Sequence, residues 1–160
     1  MKRMMIVFTL FFLIITPLSC KKKEEPRQQT MPPAHGVTVP KGELKVVVPD
    51  FVKGKWKAVK IEITDKSANK TEEVVTNLNS EYRIPNSNLA IKVDDFLPDF
   101  RMEGATITSA SNEPKNPAVH VTVTENGALI FTGWLYSKFP SIHPFQHDKF
   151  SLRLVEGIKS

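Results

Sequence analysis

Cysteine occurs once in the 160 residues, at position 20. That excludes an internal disulfide and any thiolate-held metal cluster. Glycine is scarce, seven residues against twelve prolines, so the chain has many proline interruptions and little room for long helices. No stretch beyond the leading apolar run keeps a helical period over three turns. Charge of one sign is also in short supply. There are 22 Lys and Arg against 17 Asp and Glu, giving +5, and Lys2 and Arg3 belong to the leading segment. Such a balance offers no basic footprint for nucleic acid. Catalytic signatures are missing too, with no Gly-x-Ser-x-Gly and no phosphate-cradling glycine loop. What is present is 41% hydrophobic and 24% charged residues, which excludes a wholly disordered, collagen-like or polytopic membrane chain.

The amino terminus carries the most directional signal. Lys2 and Arg3 precede an apolar run from Met4 to Leu18, closed by Ser19 and Cys20. Fifteen residues at helical rise span roughly 22 Å, short of the roughly 30 Å hydrocarbon core, so the run fits a cleaved export signal better than a permanent span. The single cysteine lies where a lipoprotein signal peptidase needs a thiol, and Leu18-Ser19-Cys20 resembles a bacterial lipobox, with Pro17 where leucine is usual. Residues 1–19 therefore read as a lipoprotein signal peptide. Acylated Cys20 would be the anchor to membrane lipid, since each buried CH₂ contributes about 0.8 kcal/mol. Lys21 rather than aspartate follows the cysteine, which by resemblance to sorting rules points to the outer membrane, facing the periplasm. Residues 20–42 hold four prolines, many charges and no apolar periodicity, a linker with a reach of about 25 Å. His35 lies in it and is assigned no role.

From residue 43 to 160 period-two patterns dominate, with Val59, Ile61 and Ile63 alternating with Lys60 and Glu62. Leu44–Val48, Trp56–Thr64, Glu72–Leu78, Leu89–Val93, Thr106–Ser109, Val119–Thr124, Ala128–Tyr136 and Phe150–Leu154 read as strands. Seven or eight short strands predict an all-β domain, a single antiparallel β-sandwich or partly open barrel. Asp94, Asp95 and Asp99 read as turn-solvating residues beside Pro98, and the apolar Phe96, Leu97 and Phe100 as buried in a folded-over corner.

Asn126-Gly127 marks a hairpin. A two-residue turn would oppose Val123 to Ile130 and Val119 to Trp134. A three-residue loop with a bulge, opposing Val123 to Leu129 and Val121 to Phe131, is preferred because it collects Val119, Val121, Val123, Leu129, Phe131 and Leu135 on one face. His120, Thr122, Thr124, Ile130, Thr132 and Trp134 then share the other, an amphipathic face with an indole near an imidazole.

Gly133-Trp134-Leu135-Tyr136, then Pro140, His147, Phe150 and Leu152, resembles the closing motif of the domain-of-unknown-function 2155 family. The preceding Val121–Gly127 and Phe131–Trp134 fit the same pattern. The likeness covers Asn116 to Leu154 well and Leu89 to Lys115 loosely. Family members with cysteines inside the domain differ from this chain, so no disulfide or thiol role transfers. The resemblance implies an exported bacterial β-domain and no particular activity.

His143-Pro144-Phe145-Gln146-His147-Asp148 is the one cluster of ligand-capable groups in sequence. With His120 added it would supply three ligands for a metal-dependent hydrolase of the envelope, although Pro140 and Pro144 favour a loop over a metal-binding helix. The leading expectation is different: a non-enzymatic accessory or binding module, with no cofactor and no catalytic residue. Its surface would be formed by His120, Thr132 and Trp134 with the loop carrying Pro140, His143 and His147, and its partner would be another envelope component. A purely structural spacer is the third reading.

Overall fold

The computed structural model describes residues 44–160. The expected signal peptide, Cys20, the expected linker and His35 lie outside the described residues. Ten strands form, β1 (Lys45–Val46), β2 (Trp56–Asp65), β3 (Lys70–Asn77), β4 (Glu81–Arg83), β5 (Leu89–Leu97), β6 (Phe100–Glu103), β7 (Thr106–Ser109), β8 (Ala118–Glu125), β9 (Ala128–Tyr136) and β10 (Phe150–Lys159). Among the described residues there is no helix, as the missing helical period requires. The strand number exceeds the expected seven or eight because the short β4 and β6 carry too few residues to show an alternation.

Three sheets result, none closed into a barrel, with orders β10-β2-β3, β4-β5-β8-β9 and β1-β7-β6. The first two pack as a β-sandwich, with β3 beside β4 and β9 beside β10. Its interior is supplied by alternate residues of both sheets: Val59, Ile61 and Ile63 of β2, Ile91 and Val93 of β5, Val119, Val121 and Val123 of β8, and Leu152 and Leu154 of β10. All pairings are antiparallel except that of β1 with β7, which is parallel. Of the expected strand Leu44–Val48 only two residues pair, both exposed.

Trp56 closes one end of the core, its ring 4.9 Å from that of Phe96 and its indole N–H donating to Asn112 at 2.7 Å. Lys53, Lys55 and Lys57 around it are exposed. The β2–β3 turn is fixed by Asp65, whose carboxylate accepts from the Ser67 N–H and hydroxyl and from the Ala68 N–H. That is the Asx geometry that makes aspartate a turn residue.

The register of β8 with β9 corrects the sequence reading. Asn126 and Gly127 both take positive φ, 52° and 80°, and Glu125 pairs directly with Ala128. The loop is thus the two-residue type that Asn-Gly favours. The ladder slips by one between Val123 and Thr124, leaving Ile130 as the extra residue, so that Val123 faces Phe131, Val121 faces Gly133 and Val119 faces Leu135. The bulge sits in the strand rather than in the turn. Phe131 and Leu135 still share a face with the valines, but Leu129 pairs with Thr124 and is 62% exposed instead of joining the core.

Asp99 is likewise corrected. It does not solvate a turn; it is 5% exposed, with its carboxylate accepting from the Ser111 hydroxyl at 2.9 Å. Its backbone N–H donates to the Ser109 hydroxyl. Asn116 ties the same corner by donating its side-chain amide to the Phe100 carbonyl. This corner folds the β6–β7 hairpin back across the outer face of β8 and β9, where the Phe100 ring meets Trp134 at 5.3 Å and Tyr136 at 5.2 Å, both edge to face.

Candidate functional site

The outer face of the four-stranded sheet is where polar and aromatic chemistry converge. In β5 the apolar phase runs through Leu89, Ile91 and Val93 and then skips, so Asp94 and Asp95 together stand opposite His120, between the pairs Val93–Val121 and Phe96–Val119. This bulge turns the Asp94 carboxylate onto His120. Its Oδ2 lies 3.1 Å from His120 Nδ1 and accepts from the Thr122 hydroxyl at 3.2 Å, while Lys92 Nζ contacts Oδ1 at 2.7 Å. A carboxylate can only accept, so His120 donates from Nδ1, and its Nε2 shares a hydrogen bond with the Thr132 hydroxyl at 3.4 Å. The imidazole is thereby locked with its ring 5.3 Å from the Trp134 indole, edge to face.

Carboxylate, imidazole and hydroxyl in that order are the parts of an activated nucleophile. Here Lys92 also holds the same carboxylate, its Nζ 2.7 Å from Oδ1. The same contacts set the imidazole edge against the Trp134 indole.

Burial pushes the Asp94 carboxyl up, but the Lys92 ammonium and the hydrogen bonds from His120 and Thr122 outweigh it and hold the group below the usual carboxylate value. A group whose pKa is lower folded than unfolded binds more protons when unfolded. Its stabilisation is complete above the unfolded value of about 4 and is lost as pH falls through the folded one. Urea midpoints measured from pH 6 to pH 2 should therefore fall below about pH 4, and Asp94→Asn should make that fall shallower.

Beside this array lies a groove of about 430 Å³. One wall is β9, through Phe131, Thr132, Gly133, Trp134 and Tyr136. The other wall is Leu44 with Met102 of β6 and Ile107 of β7, and His143 stands at the rim. Burial raises the Tyr136 phenol above its ordinary value. Two larger hollows lie near Trp56 and Lys66, but their surfaces are at least as polar as apolar. Among the described pockets this groove is the one walled mostly by apolar atoms, with a hydroxyl and an imidazole to orient an occupant, which is the composition of a binding site.

The structure thus brings together four of the six residues expected on the binding surface: His120, Thr132 and Trp134 on the sheet, and His143 across the groove. Pro140 is exposed in the loop and does not line the groove. His147 is elsewhere. Its Nδ1 accepts from the N–H groups of Lys149 and Phe150, each at 3.2 Å, and its ring stacks on Phe145 at 5.8 Å. Its Nε2 faces Glu125 at 3.5 Å. His147 therefore fixes the start of β10, because it satisfies two amides that would otherwise lack partners. Among the described residues no three His, Cys, Asp or Glu side chains are placed to hold one metal ion, so His120, His143 and His147 do not converge. Asp94 and the groove residues Leu44, Met102, Ile107, Phe131 and Tyr136 were missed from the sequence.

Fold and site together define a β-sandwich with an aromatic-walled groove along one edge strand. Comparisons with protein-family models, curated proteins and solved structures find no match to this chain.

Proposed function

We propose that this chain is a lipid-anchored, non-enzymatic binding module of the bacterial cell envelope, held by acylated Cys20 and facing the periplasm from the outer membrane. The observation that carries the binding role is the groove, in which Trp134 is held by His120 and Phe100 while most of the surrounding atoms are apolar. A large indole fixed in place contributes contact area with little loss of conformational freedom on binding. The charged start, apolar run and lone cysteine of residues 1–20 support both the anchor and the compartment.

A single experiment in living cells tests both halves. A photo-crosslinking benzoylphenylalanine placed at Met102, which is 49% exposed on the groove wall, is expected to give a discrete adduct on irradiation. The same cells fed radioactive palmitate should label the wild-type chain and not Cys20→Ser. Irradiation without an adduct would remove the binding role, and equal labelling of both chains would remove the anchor.

A further inference from the structure

The ends of a sheet are where a protein decides whether to accept another strand, and charged side chains are the usual means of refusal. Six strands end the three sheets here. Five carry such a charge, represented by Lys45 on β1, Glu72 on β3, Arg83 on β4, Arg101 on β6 and Arg153 on β10. The sixth is β9, Ala-Leu-Ile-Phe-Thr-Gly-Trp-Leu-Tyr, with no charge in nine residues. It hydrogen-bonds to β8 alone, and among the described residues no other backbone hydrogen bond reaches Ala128–Tyr136. The groove runs along this same strand, from Phe131 to Tyr136, and its only ionisable side chains are Tyr136 and His143.

We infer that the groove receives an extended, uncharged peptide segment of a partner protein, which adds as a fifth strand to the edge of β9 and sets alternate apolar side chains against Trp134 and the Met102–Ile107 wall. Main-chain hydrogen bonds to an open edge supply affinity in this mode, and pockets for every second side chain supply specificity. Absence of charge on both walls selects against charged segments, because an ion placed there would lose its water without gaining a partner. The inference rests on the binding role proposed above and names the occupant.

The test uses the full chain in lipid nanodiscs, panned against a random nine-residue peptide library displayed on phage. Enriched peptides should be uncharged and apolar at alternate positions, and the best of them should slow amide exchange over residues 131–136 about tenfold. Two N-methylated versions of that peptide, one blocked at odd amides and one at even amides, separate strand addition from side-chain docking, because an added strand turns only every second N–H toward its neighbour. One version should bind about tenfold more weakly and the other nearly as well as the parent. Equal binding, or equal loss, would overturn strand addition. So would a failure to enrich any peptide, competition by free dodecanoate alone, a β9–β9 dimer on sedimentation, or β9 amides already protected in the free chain. A crosslinked adduct in cells alongside any of these results would leave the binding role standing and remove only the strand.

Discussion

Replacing Ile61 by alanine is expected to remove about 4 kcal/mol of stability, within the range of about 2–5 kcal/mol for such truncations in closed interiors. Ile61 is 1% exposed and sits in the middle of β2, opposite Leu154 of β10 and Val74 of β3. The facing sheet has Ile91, Val93 and Val121 fully buried. Strands paired on both sides cannot collapse into a void, so the cavity cost adds to the lost transfer energy. For a domain with about 5–15 kcal/mol in total, that is a large fraction. Urea denaturation should show a lower midpoint with unchanged slope, and Ile61→Val should cost only about 1 kcal/mol. Val75→Ala on β3, where the side chain is 58% exposed, should stay within about 0.5 kcal/mol. Equal costs at Ile61 and Val75 would contradict the packing of the two sheets.

The second large effect comes from adding one methyl group. A Cβ at Gly157 would lie 2.6 Å from Phe96 Cε1 and 2.9 Å from Trp56 Cε3, closer than carbon atoms tolerate. The ring of Phe96 cannot swing away, since it is 2% exposed and packs on Trp56 at 4.9 Å. Gly157 is thus the gap in β10 into which the Phe96–Trp56 pair fits. Gly157→Ala should cost about 3 kcal/mol and lower the melting temperature by roughly 10 °C. Phe96→Leu shortens the obstructing ring, so the double variant should be more stable than the sum of the two single effects predicts. Strict additivity would show that the ring and the glycine do not meet.

Much of the sandwich was legible because its inner strands alternate: Val59, Ile61 and Ile63, and again Val119, Val121 and Val123, are buried as their period requires. The bulges are where that legibility ended, and they are also where the site lies. In β5 the odd-numbered apolar residues Leu89, Ile91 and Val93 give way to the even-numbered Phe96, with Asp94 and Asp95 between them. That change of phase is the mark of an inserted residue, and reading it would have placed Asp94 opposite His120 instead of in a turn. Ile130 in β9 gave no comparable mark, because apolar residues stand on both sides of it and any register buries something. His120, Thr132 and Trp134 could be grouped from parity alone. Leu44, Met102 and Ile107 could not, because they reach the groove through the Asp99 corner, whose hydrogen bonds to Ser109 and Ser111 are long-range facts with no periodic trace.

The attachment of β1 has a mechanical consequence. Leu44 is the first described residue, a wall of the groove, and the neighbour of a two-residue strand held to the β6–β7 hairpin by the N–H groups of Lys45 and Val47, bonded to the carbonyls of Ala105 and Ile107. Tension on the chain upstream of Leu44 would load this short parallel pairing before the longer ladders of the sandwich. Displacing β1 from β7 would take Leu44 out of the wall and widen the groove, and letting it pair again would restore it.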